Sequence, residues 1–193
     1  MFSMKTIAGW RVGWAIAGLL ASAVAVQGQT VPSAHGPSQS LWVGGEYANL
    51  QAGFPEGSTL RLSGAGVFAN YNWNHFLGME VHARFLNFNS WNGETEQDYL
   101  AGPRYSFLNS RRWRPFASFP VGLAKIQYPF TLGSGSSFAM APGGGLEYRL
   151  SRKWTVRAAY EYQFLTNSPN FTNEPKFGIK PNGGMAGISY RVR

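Results

Sequence analysis

Three segments of this sequence alternate apolar and polar residues almost without error, and the polar set includes charges. In Leu77–Phe85 the odd positions Leu77, Met79, Val81, Ala83 and Phe85 are apolar, while Gly78, Glu80, His82 and Arg84 are small, polar or charged. Tyr99, Ala101, Pro103, Tyr105 and Phe107 stand in the same relation to Asp98, Gly102, Arg104 and Ser106. So do Val156, Ala158, Tyr160, Tyr162 and Phe164 to Thr155, Arg157, Glu161 and Gln163. A period of two sends successive side chains to opposite faces of a β-strand. A soluble sheet would turn its apolar face to a core. Here that face is rich in Tyr and Phe, and the other mixes Glu, Arg and Gly. This is the pattern of a barrel with its apolar side on lipid and its polar side around a lumen.

The first residues fit export. Met4-Lys5 through Arg11 form a positive n-region, and Val12–Val26 is an unbroken run of apolar, Gly and Ser residues. Ala23-Val24-Ala25 is a small-x-small cleavage site and Val26-Gln27-Gly28 a second. Residues 1–25 therefore read as a signal peptide, with cleavage as late as 28. The run is shorter than the roughly 20 residues of a spanning helix. Cysteine is absent, which excludes a disulfide framework and a lipid-modified N-terminal cysteine. Aromatic residues at 16% and charged residues at 13% suit a barrel. The formal charge of +8 is dispersed, Arg111-Arg112-Trp113-Arg114 and Arg152-Lys153-Trp154 being its clusters. With no basic helix, a nucleic-acid partner is not expected.

Gln29–Ser40, built from Ser, Pro, Gly and His, reads as a flexible mature N-terminus, and residues 41–193 as one barrel domain. Eight strands are expected: Leu41–Leu50, Arg61–Asn72, Phe76–Phe88, Gln97–Leu108, Arg114–Ile126, Phe138–Leu150, Trp154–Thr166 and Gly183–Arg193. Each is near or above the 9–11 residues that cross a bilayer at a tilt. Asn72–His75, Asn109–Arg112 and Ser151–Lys153 are short, with Asn and Ser favouring turns. Gln51–Leu60, Asn89–Glu96, Gln127–Ser137 and Asn167–Asn182 are longer and rich in Gly, Pro, Ser and Asn. Tight periplasmic turns alternating with longer external loops complete an all-β, eight-stranded, antiparallel up-and-down transmembrane β-barrel. Trp42, Trp73, Trp113 and Trp154 all fall at the expected periplasmic ends, where indoles form an aromatic girdle.

Tyr99–Phe107, Gly143–Ser151 and Gly187–Arg193 resemble segments of small bacterial outer-membrane β-barrel proteins, the superfamily of the OmpA transmembrane domain and OmpX. The resemblance covers roughly Leu41 to Arg193. It implies residence in the bacterial outer membrane, with outer-membrane lipids and the barrel-assembly machinery as partners. Members usually end in an aromatic residue that this machinery reads. Here Tyr190 and Val192 precede Arg193, and recognition would use those two.

Turning the apolar parity to lipid sends Glu46, Glu80, Arg84, Arg104, Glu147, Arg149, Arg157, Glu161 and Arg191 inward, four acids against five bases. A near-balanced set in a narrow lumen should pair, because unpaired buried charge is costly. Glu80 and Arg104, on adjacent strands, are expected in that network. Strand glycines such as Gly64, Gly66 and Gly143–Gly145 would relieve inward crowding.

Three other classes compete. Lipid-modifying outer-membrane enzymes of deacylase type carry His-x-Ser with a downstream acid. Of His35, His75 and His82, none has Ser two residues on, so no catalytic residue is assigned. Glu94-Thr-Glu96-Gln-Asp98 reads as a solvated acidic loop rather than a metal site, and Gly133–Ser137 lacks the strand-to-helix context of a phosphate loop. No cofactor is implied. A soluble, lipocalin-type barrel would bury the apolar face and expose the charges. The expected role is non-enzymatic, structural or surface contact through loops whose partner the sequence does not name, with a small gated pore as the alternative.

Overall fold

The computed structural model describes residues 39–53, 59–88, 95–107, 112–127, 134–166 and 180–192. The expected signal peptide, most of the N-terminal segment 29–40 and the middles of the four longer loops lie outside the described residues. Among the described residues eleven strands make one antiparallel sheet: β1 (Ser40–Gly53), β2 (Thr59–Asn72), β3 (Leu77–Phe88), β4 (Thr95–Ser106), β5 (Trp113–Ser118), β6 (Val121–Gln127), β7 (Ser134–Met140), β8 (Gly143–Arg149), β9 (Trp154–Tyr162), β10 (Phe164–Thr166) and β11 (Asn182–Arg191). β5 with β6, β7 with β8, and β9 with β10 are single staves interrupted at Phe119-Pro120, Ala141-Pro142 and Gln163. Neighbours along the chain pair around the sheet, and β1 pairs β11 from Trp42↔Arg191 to Gln51↔Asn182. The eight staves therefore close into a barrel without a free edge.

Proline explains the interruptions. Pro103, Pro120 and Pro142 stand on successive staves and Pro181 immediately precedes β11, and each carbonyl accepts a backbone bond from a neighbouring stave. Phe119 donates to Pro103 (3.0 Å), Ala141 to Pro120 (2.9 Å), Tyr162 to Pro142 (3.0 Å) and Gln163 to Pro181 (2.7 Å). Proline accepts in this way but has no N–H to return, so the ladder breaks on a diagonal.

Asn and Ser close the tight turns as their types predict. Asn74 Oδ1 accepts from the Phe76 and Leu77 amides (2.8 and 2.7 Å), and Ser151 Oγ from those of Lys153 and Trp154 (3.2 and 3.1 Å). At the opposite end the strands run into what the sequence marks as loop. β1 continues to Gly53, β2 begins at Thr59, β4 at Thr95 and β7 at Ser134. Extra ladder bonds outweigh the turn-like composition there.

The exterior carries an apolar belt. Val43, Tyr47, Val67, Leu77, Val81, Phe85, Leu123, Phe138, Tyr160 and Ile188 are all exposed. At the tight-turn end its edge is made of aromatic pairs, Tyr71–Trp73, Phe76–Tyr105, Trp113–Tyr148 and Trp154–Tyr190. Toward the loop end the outward positions turn polar: Asn49, Ser63, Asn87, Gln97, Lys125 and Ser136. At that same level the inward positions turn apolar, Glu96 excepted. Leu50, Leu62, Leu86, Phe88, Leu100, Ile126, Leu165 and Met185 form a buried cluster inside the barrel.

Candidate functional site

Beneath that apolar cluster the lumen is filled with charge. Parity places each member: the even residues of β1, β3 and β4 and the odd residues of β8 and β9 point inward, and Glu46, Glu80, Arg84, Arg104, Glu147, Arg157 and Glu161 are buried there. Glu80 is the hub. Its Oε2 accepts from Arg104 Nη1 (2.9 Å) and Arg157 Nη1 (3.1 Å), and its Oε1 from Arg157 Nη2 (3.2 Å). Arg104 reaches Glu147 with its other nitrogen at 2.7 Å, and Arg157 reaches Glu46 at 3.6 Å. Farther toward the loops Arg84 joins Glu161 (2.6 Å) and Asp98 (3.2 Å).

Flat contacts hold the guanidinium groups in place. Arg104 lies over the Phe116 ring at 3.8 Å and Arg157 over Phe68 at 4.3 Å, a cation–π geometry strengthened by desolvation. Arg84 Nη1 contacts the Met185 sulfur at 3.0 Å. Gly66 makes room for Arg84, because a Cβ there would lie 2.6 Å from its Cγ. Such an arrangement fills and fixes an interior.

The remaining expected members lie elsewhere. Arg149 and Arg191 point inward at the tight-turn mouth but are exposed, lining a cavity of about 200 Å³ with Arg114, His75, Asn74, Ser40 and Trp42. Trp42 does not join the exposed tryptophans. Trp73, Trp113 and Trp154 are 46, 53 and 45% exposed, whereas Trp42 is 7% exposed and donates from Nε1 to Ser40 Oγ at 3.2 Å. Its even number on β1 gives it the parity of Glu46, and parity decides the face where chain position alone does not.

Glu96 and Asp98, expected in a solvated acidic loop, are 1 and 0% exposed on the inward face of β4. Gln163 is buried as well. The signal for the acids was their shared parity with Arg104. His82 is buried 3.8 Å from Glu80, among the lumen charges. His35 lies outside the described residues. Ser134–Ser137 of the glycine-rich segment belongs to strand β7.

A closed eight-stave barrel with an aromatic-edged apolar belt outside and ion pairs inside defines a membrane-spanning β-barrel. The sequence matches the outer membrane protein beta-barrel domain over residues 16–191, and the chain belongs to that family of bacterial outer-membrane barrels. Among solved structures it is similar to Neisserial surface protein A, with a TM-score of 0.66 at 14% identity over 79% of this chain and 98% of that one. Ail of Yersinia pestis, solved with the heparin analogue sucrose octasulfate, gives 0.51 at 18% identity over 80 and 97%. OprG of Pseudomonas aeruginosa gives 0.50 at 12% identity over 83 and 98%. These likenesses are of fold. No curated protein matches the sequence.

Proposed function

We propose that this chain is a non-enzymatic outer-membrane barrel whose role is structural or is surface contact through the four longer connections expected within Gln51–Leu60, Asn89–Glu96, Gln127–Ser137 and Asn167–Asn182. One observation carries the reading: the lumen is stopped twice, by the Glu80–Arg104–Arg157 layer and by the apolar cluster above it. Such an interior does not serve passage, which leaves the exterior and the loops as working surfaces. The outer-membrane lipids meet the belt, the assembly machinery inserts the barrel, and the tight-turn end faces the periplasm. His82, confined beside Glu80 inside the wall, is a space-filling polar group rather than a base. A small gated pore is the second reading, favoured by the cavity that opens the tight-turn end toward Arg149.

Surface display is tested with trypsin on intact cells. Lys176 lies in the longest connection, so cleavage there should proceed with the outer membrane sealed, while the barrel stays whole. Cleavage that appears only after the outer membrane is opened overturns the orientation. Turnover of lipopolysaccharide or phospholipid by purified protein, lost in His82→Ala, overturns the non-enzymatic reading.

A further inference from the structure

We propose that one side of the outer rim at the tight-turn end is a docking surface for anionic phospholipid headgroups of the adjacent leaflet. Two of the three tight turns carry the same run, a basic pair followed by tryptophan: Arg111-Arg112-Trp113 and Arg152-Lys153-Trp154. They are neighbours on the rim. The first leads into β5, the second joins β8 to β9, and β5 pairs β8 from Trp113↔Tyr148. The Arg112 carbonyl accepts from the Arg149 amide at 2.8 Å, tying the first turn to the stave that enters the second. In the second, the Trp154 carbonyl accepts from the Leu150 and Ser151 amides (3.0 and 3.1 Å), and Ser151 Oγ from those of Lys153 and Trp154. Arg112, Arg152 and Lys153 are exposed on these fixed turns. The remaining tight turn, Trp73–Phe76, has no Arg or Lys, so the basic arc occupies one side.

Side-chain carboxylates lie elsewhere. Glu46, Glu80, Glu96, Asp98, Glu147 and Glu161 are buried in the lumen, and Glu56, Glu94 and Glu174 fall in the longer connections of the other end. The three tight turns contain no Asp or Glu. Two features favour a lipid over a soluble anion. Each basic pair directly precedes an exposed indole at the edge of the belt, Trp113 packed on Tyr148 at 4.6 Å and Trp154 on Tyr190 at 5.1 Å. Indoles mark the boundary between hydrocarbon and headgroups, so the adjoining cations stand at the level of the lipid phosphates. Lys153 Nζ, 5.8 Å over the outward Tyr190 ring, lies along the outer wall. The second turn also exposes Leu150 close to its cations, and apolar area of that kind is stabilised by entering a lipid surface. Guanidinium groups then bind the phosphates through charge-assisted hydrogen bonds. The arc does not depend on what the loops contact.

The test uses the full mature barrel in nanodiscs of equal parts phosphatidylglycerol and phosphatidylcholine, with retained lipid counted by native mass spectrometry. The wild type should retain phosphatidylglycerol in preference, and the preference should fall as ammonium acetate is raised. Each cation lost from the arc should cut the preference about fivefold, in Arg112→Gln and in Lys153→Gln, and further in Arg152→Gln with Lys153→Gln. These positions are exposed, so the variants should fold, as a heat-modifiability gel verifies. Lys125→Gln, a single outward cation at the opposite end, is the control and should leave the preference unchanged. Equal retention of the two lipids by the wild type, or equal effects of Lys153→Gln and Lys125→Gln, overturns the surface. Binding of poly-glutamate to the barrel in neutral detergent, lost in Lys153→Gln while the nanodiscs show no lipid preference, overturns it in favour of a soluble acidic partner.

Discussion

Glu80 shows how much rests on one side chain in a lumen this narrow. It holds two guanidinium groups and lies beside His82, with 1% of its surface exposed. Glu80→Gln keeps the volume but removes the charge shared by Arg104 and Arg157. Breaking a buried ion pair from one side costs about 3–5 kcal/mol, because the partner charge stays buried and unanswered. Urea unfolding of the lipid-inserted protein should show a loss of that order for Glu80→Gln. The exposed Arg149→Gln should stay within about 0.5 kcal/mol. Equal effects would mean that the network contributes nothing. The sequence made Glu80, Arg104 and Arg157 legible because parity alone turns them inward. It hid Glu96, whose Gly-Glu-Thr surroundings read as a loop until ladder pairing with β6 draws it into the wall beside Asp98, which the expected strand already held. Trp42 misled in the opposite way, since its place at a strand start suggested an interface and its parity ruled that out.

Along each strand, the same alternation carries two opposite meanings. In β3 the outward series Leu77, Met79, Val81 and Phe85 is apolar, then Asn87 is polar, while the inward series passes from Glu80, His82 and Arg84 to Leu86 and Phe88. No residue is inserted, so the faces are unchanged and the solvents have changed. Inside the belt the wall meets hydrocarbon; beyond it the wall meets water and is packed like a soluble barrel. The alternation was readable from sequence. Its reversal hides the loop-side ends of β1, β2, β4 and β7, where the outward residues are as polar as those of a loop. Pro120 and Pro142 interrupt staves that the sequence reads as continuous, since inward–outward parity passes through both unbroken. Ala158 tests the belt. It is exposed on β9 between Leu146 and Ala186 of the flanking staves. Ala158→Arg should destabilise the barrel by about 2–4 kcal/mol, the cost of a cation at midplane on a lipid face. Ser63→Arg, on the outward face above the belt, should cost under about 0.5 kcal/mol. If Ala158→Arg folds into lipid as well as wild type, the assignment of faces is inverted.

Across the whole molecule three layers stack along the axis: a basic mouth at the tight turns, ion pairs in the middle, and an apolar plug toward the loops. Eight staves leave an interior just wide enough for side chains to fill, and here two chemically different fillings act in series. The ion-paired layer resists a passing ion because entry would have to displace a partner at 2.6–3.2 Å. The plug resists it because its Leu, Ile and Phe side chains offer no replacement for hydration water, and Glu96 is the carboxylate buried among them at the level of Leu86 and Ile126. Reconstituted into a planar bilayer, the protein should show no stepwise conductance of porin size. Leu165→Ser weakens the plug alone, and the Arg104 and Arg157 pairs beneath it should keep that variant silent too. Glu80→Gln with Leu165→Ser removes support from both layers and is the combination in which leak should first be seen. Porin-scale steps from the wild-type protein would refute the closed lumen. Leak from Leu165→Ser alone would show that the ion pairs do not close the barrel by themselves.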